Sequence, residues 1–122
     1  MQDDAGTIAP ATGVGSFLHV DASKHDAVAV VLLSGDLDLN SAPQLRDALD
    51  RLVVRGCRDV VVDVSRLHFC GAVGLGILVA TAQGLPPGGG LTLVGATGML
   101  RRLLHVTGVD GVVRVEPAAV SR

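Results

Sequence analysis

Tryptophan and tyrosine are absent from this chain, and phenylalanine occurs only at Phe17 and Phe69. Proteins that hold single-stranded nucleic acid stack its bases on aromatic rings. Two phenylalanines cannot build such a platform. A basic surplus is missing as well: the net charge is −2 and the pI about 6.0. Duplex binding runs on phosphate neutralisation by clustered Lys and Arg. No nucleic-acid partner is expected. Long apolar runs are also lacking. The longest, around Ala72–Ala82, falls well short of the roughly 20 residues that span a bilayer. The N-terminal MQDDAGTIAP is acidic and has no apolar signal region. A cytoplasmic protein with no direct membrane insertion is the expectation.

Cysteine is scarce, at Cys57 and Cys70. They flank VVVDV, which reads as a strand of about six residues. At roughly 3.3 Å per residue the two lie about 20 Å apart. A disulfide needs Cα atoms within about 7 Å, so an internal bridge is not expected. Two small buried thiols, or a redox role, remain open. Acidic residues are missing from one whole stretch: none lies between Asp63 and Asp110. Residues 1–63 carry net −5 and residues 64–122 net +3.

What is present suits one domain of 122 residues, 48% of them apolar. Residues 1–15 read as a flexible tail and residues 16–122 as the domain. SFLHVDAS (16–23) alternates like an edge strand. AVAVVLL (27–33) and RDVVVDVS (58–65) read as strands buried on both faces. After the first, Ser41 and Gln44 fit a capping box, with Pro43 in the first turn. Leu45, Ala48, Leu49, Leu52 and Val53 then form one helical stripe that Gly56 ends. AVGLGILVATAQ (72–83) reads as a second helix, LTLVGA (91–96) as a strand and VVRV (112–115) as a last strand. A third helix, capped by Thr97 and closed by Gly108, carries apolar Met99, Leu100, Leu103, Leu104 and Val106. Alternating strands and helices imply an α/β fold, a small mostly parallel sheet of four to five strands with helices packed on it.

The stretch LHFCGAVGLGILVA (67–80) forms a strand end, a glycine-rich corner and a helix start, without one Ser, Thr, Asp, Glu, Lys or Arg. GAVGLG has the wrong glycine spacing for a dinucleotide loop, and the next strand ends in LVGAT with no acid for a ribose. No phosphate loop ending in Gly-Lys-Ser/Thr occurs. His19, His25, His68 and His105 show no metal-ligand spacing. Cys70 is the one nucleophile near the corner, with no evident base. Asp36 and Asp38 could pair as acid and base, but turn chemistry accounts for both. No cofactor, metal or catalysis is expected. A helix free of charge is either wholly buried or turns an apolar face to a partner. Three helices sharing a small sheet favour the partner.

SGDLDLNSAPQLRDAL, VVVDVSRLHFCGAVGLGIL and GGGLTLVGATGMLRRLLHVTGVDGVV together resemble the three signature segments of STAS domains, over about residues 16–116. In style the chain is similar to bacterial anti-sigma factor antagonists. That resemblance implies the STAS fold, no enzyme activity, and a partner-switching role in transcription. The partner implied is an anti-sigma factor, usually a serine kinase. A weak homodimer is a further expectation. Carried onto this sequence, the family contact falls on Asp36, Asp38, Asn40 and Ser41 of the first segment. In the second it falls on Cys70, Gly71, Ala72, Val73 and Gly74. The family's D-S-S-G, whose first Ser takes phosphate, reads Gly71-Ala72-Val73-Gly74 here, so the acceptor position is Ala72. Two other roles stay open: a STAS subunit of an ABC-type lipid transporter, and a stressosome-like scaffold module.

Overall fold

The computed structural model describes residues 17–117. The expected tail at 1–15 lies outside them. In chain order the elements are β1 (Leu18–His25), β2 (Val28–Leu37), α1 (Ala42–Val54), β3 (Asp59–Cys70), α2 (Ala72–Gln83), β4 (Gly90–Val94), α3 (Gly98–Val106) and β5 (Arg114–Glu116), with a 3-10 turn at Val109–Gly111. They form one five-stranded sheet in the order β1-β2-β3-β4-β5. β1 is antiparallel to β2; every other neighbouring pair is parallel.

The strands are not buried on both faces. Register sets Ala29 and Val31 of β2 beside Val60 and Val62 of β3, and these beside Leu91 and Leu93 of β4. All six are buried. The alternate residues point the other way, and Val28 and Leu32 remain 40% and 46% exposed. Valine-rich runs hide this alternation, because β-branched residues suit either face of a pleated strand. On the covered side α1 buries Ala42, Leu45, Leu49 and Leu52, and α2 buries Gly74, Leu75, Ile77, Leu78 and Thr81. This one-sided core fixes where the helices start.

Several boundaries differ from the sequence reading. β3 runs on to Cys70 rather than ending at Ser65. It takes extra residues against β2: Leu32 pairs with Asp63, but Ser34 pairs with Arg66. Such bulges lengthen one strand and sharpen its twist. Cys57 and Cys70 are consequently further apart than expected, roughly 40 Å along an extended chain, and both thiols are free. β4 stops at Val94 because Gly95 turns with φ +87°. A Cβ there would come within 2.7 Å of the Ser65 Cβ, so the turn excludes any larger residue. β5 begins at Arg114, two residues later than expected, because the 3-10 turn and buried Val113 precede it.

Candidate functional site

β2, β3 and β4 run parallel, so their C-terminal ends share one edge of the sheet. Each then feeds a helix that starts at that edge: α1, α2 and α3. None of the three helices has an acidic residue in its first turn. Three partly positive N-termini therefore lie along one edge without a carboxylate of their own.

The corner sits at the middle of this edge. Gly71 is the N-cap of α2, with an extended backbone and no side chain to close the helix. Its N–H donates to the Leu37 carbonyl at 2.9 Å, which ties the corner to the end of β2. Gly74 is buried and meets the same Leu37: an added Cβ would lie 2.5 Å from Leu37 Cγ and Cδ2. Close packing of α2 on β2 leaves room for glycine alone at this position. Ala72 is exposed, as are Gly76 and Ala80 one and two turns on. α2 thus buries one side and presents a strip of small residues on the other. Val73 is half-buried.

The loop from β2 to α1 is built by its polar residues. Asp38 Oδ1 accepts N–H bonds from Asn40 and Ser41, each at 3.0 Å. Ser41 Oγ donates to the Asp36 carbonyl at 2.8 Å and accepts the Asp38 N–H at 2.9 Å. The expected capping box does not form. The Ser41 hydroxyl is drawn back into the loop, and Gln44 Nε2 donates instead to the Leu18 carbonyl at 2.9 Å. Gln44 thereby fastens α1 to the edge strand. Thr97 stands at the N-cap of α3, also without a side-chain capping bond.

Of the residues expected to meet a partner, Asn40 and Ala72 are exposed. Asp36, Asp38, Cys70, Gly71 and Val73 are half-buried, while Ser41 and Gly74 are buried. The last two shape the edge rather than offer contact area. Sequence reasoning missed the apolar rim. Leu39 is 75%, Phe69 54% and Met99 84% exposed, all at this edge. For Leu39 there was a signal, a leucine set among turn residues in DLN. Met99 stands among the apolar positions of α3 yet faces water, as does Val106 at 73%.

Burial pushes the Cys70 thiol up to about 11. The thiol therefore stays protonated at neutral pH, unlike a poised nucleophile. Among the described residues no group of three His, Cys, Asp or Glu could hold a metal ion. Nor is any helix there long and apolar enough to cross a membrane.

A family model described as "Mlab, STAS domain" matches residues 15–115. The chain belongs to the STAS domain family. The anti-sigma-F factor antagonist RsfB of Mycobacterium tuberculosis is 32% identical over 96 residues, covering 79% of each chain. The anti-sigma-B factor antagonist of Staphylococcus aureus is 26% identical over 99 residues, 80% of this chain and 92% of its own. A crystal structure of an anti-sigma factor antagonist from Mycobacterium paratuberculosis matches with a TM-score of 0.77 at 35% identity, over 83% of this chain and 86% of that one. Unphosphorylated SpoIIAA, at 18% identity, matches in fold with a TM-score of 0.72, over 82% and 88%. This STAS domain thus has anti-sigma factor antagonists among its homologues.

Proposed function

We propose that this STAS protein is an anti-sigma factor antagonist, acting in the cytoplasm on a serine kinase-like anti-sigma factor and lacking the usual phosphorylation switch. The observation that carries the reading is Ala72: exposed, in the first turn of α2, where the family places its acceptor serine. The small residues Gly71, Ala72 and Gly76 let a partner backbone approach the helix closely. Leu39, Phe69 and Met99 supply apolar area around that approach. Asp36, Asp38 and Asn40 border it on the α1 side. A phosphoserine at this position would carry about −2 charge into the contact and break it by desolvation. Alanine has no oxygen to accept the phosphoryl group, so binding here has no off-state written at the corner.

Calorimetric titration with purified anti-sigma factors tests the reading. One kinase-like member should bind with a defined stoichiometry. Failure with every one, together with binding to the ATPase of a lipid transporter, would hand the site to the transporter-subunit reading.

A further inference from the structure

We infer that the exposed strip of α3 formed by Met99, Arg102, Leu103 and Val106 is a second docking surface for the same partner, and that it takes an acidic, partly apolar segment. The inference rests on the reading of the protein as an anti-sigma factor antagonist and specifies the chemistry of what it binds.

With 3.6 residues per turn, residues 99, 102, 103 and 106 fall on one strip of the helix. The opposite side carries Leu100 and Leu104, and Leu104 is the one residue of α3 that is fully buried. Met99 and Val106 are left mostly in water, with Leu103 half-buried between them. Met99, Leu103 and Val106 thus form a continuous apolar strip along the nine-residue helix. The charges beside them indicate what fits. Arg102 lies on the strip and Arg101 on the next exposed flank of the helix; neither forms an ion pair among the described residues. The ion pairs found there are His105–Asp110 and Arg114–Glu116. α3 has no acid of its own, and the chain has none from residue 64 to residue 109. The strip is therefore apolar with an unneutralised cationic rim, complementary to carboxylates on a partner. A second copy of this chain fits poorly. An isologous contact through the strip would face two cationic surfaces with no carboxylate of α3 to offset them. Met99 opens α3 at the same sheet edge as the corner, so one partner can address both surfaces.

The test is the association rate of a purified anti-sigma factor that binds the wild type. It is measured at about 50 mM and about 500 mM salt, where the Debye length falls from well over 10 Å to under 5 Å. Arg101→Glu with Arg102→Glu should slow association about tenfold or more at low salt, and the deficit should shrink at high salt. Arg102→Lys should stay near wild type, and both variants should melt normally because the side chains are exposed. Wild-type rates for the double reversal would overturn the inference while leaving the corner intact. If no anti-sigma factor binds the wild type at all, the underlying reading fails and the inference falls with it. An Arg102-dependent dimer in sedimentation, or Arg102-dependent binding to phosphatidylserine vesicles, would also overturn it and assign the strip to another occupant.

Discussion

Ala72→Glu should abolish partner binding while leaving the fold intact. Ala72 opens α2, where no acidic residue stands in the first turn. A carboxylate near a helix N-terminus is favourable by about 0.3–1 kcal/mol, so thermal unfolding should be unchanged or slightly raised. In a complex the same carboxylate would be taken out of water with no partner. Truncating one member of a buried charge pair, a comparable case, costs about 2–5 kcal/mol, or thirtyfold or more in affinity. The two effects have opposite signs, which separates a surface residue from a core one. Unfolding of the variant would mean that Ala72 packs inside; a folded variant with normal affinity would move the interface elsewhere.

The second large effect is expected two residues on. Gly74→Ala puts a methyl group against Leu37, which is completely buried and cannot swing out. Overpacking of a dense core costs about 1–3 kcal/mol. Better helix propensity returns up to about 1 kcal/mol of that. A net loss of up to about 2 kcal/mol should appear as a lower melting temperature and a lower denaturant midpoint. Gly76→Ala is the control, since nothing lies within 4 Å of its added Cβ. It should gain about 0.4–1 kcal/mol. Equal effects for the two variants would show that helix propensity, not contact with Leu37, governs the corner.

The sequence carried the order of strands and helices well, because glycine and periodicity punctuate this chain clearly. Gly56, with φ +87°, ends α1 where expected. Sidedness was less legible. VAVVLL and VVVDV are apolar at nearly every position, so nothing in them tells that one face stays open. The length of β3 was hidden for a related reason. RLHFC alternates polar and apolar residues through a bulged register, and a bulge leaves no compositional mark. At the site, the corner itself was readable from Gly71 through Gly74, but its rim was not. Leu39, Phe69 and Met99 are ordinary core residue types. Only their place at the strand ends, facing water, makes them part of a surface. Ser41 erred in the opposite direction. It fits a capping box by spacing, yet its hydroxyl found stronger local partners in the Asp36 carbonyl and the Asp38 N–H.

The central claim is that this corner binds a kinase-like anti-sigma factor and cannot be switched off. Incubating the complex with ATP and Mg²⁺ tests it most directly, with the intact mass and the bound fraction followed together. The Ser41 hydroxyl is buried within its loop, which leaves Ser65 and Thr97 as the exposed hydroxyls nearest the edge. The account predicts no added phosphate and a complex that persists, while Ala72→Ser gains one phosphate and releases the partner. Stoichiometric phosphate on the wild type at Ser65 or Thr97, with loss of the complex, would contradict it and show that the switch has moved.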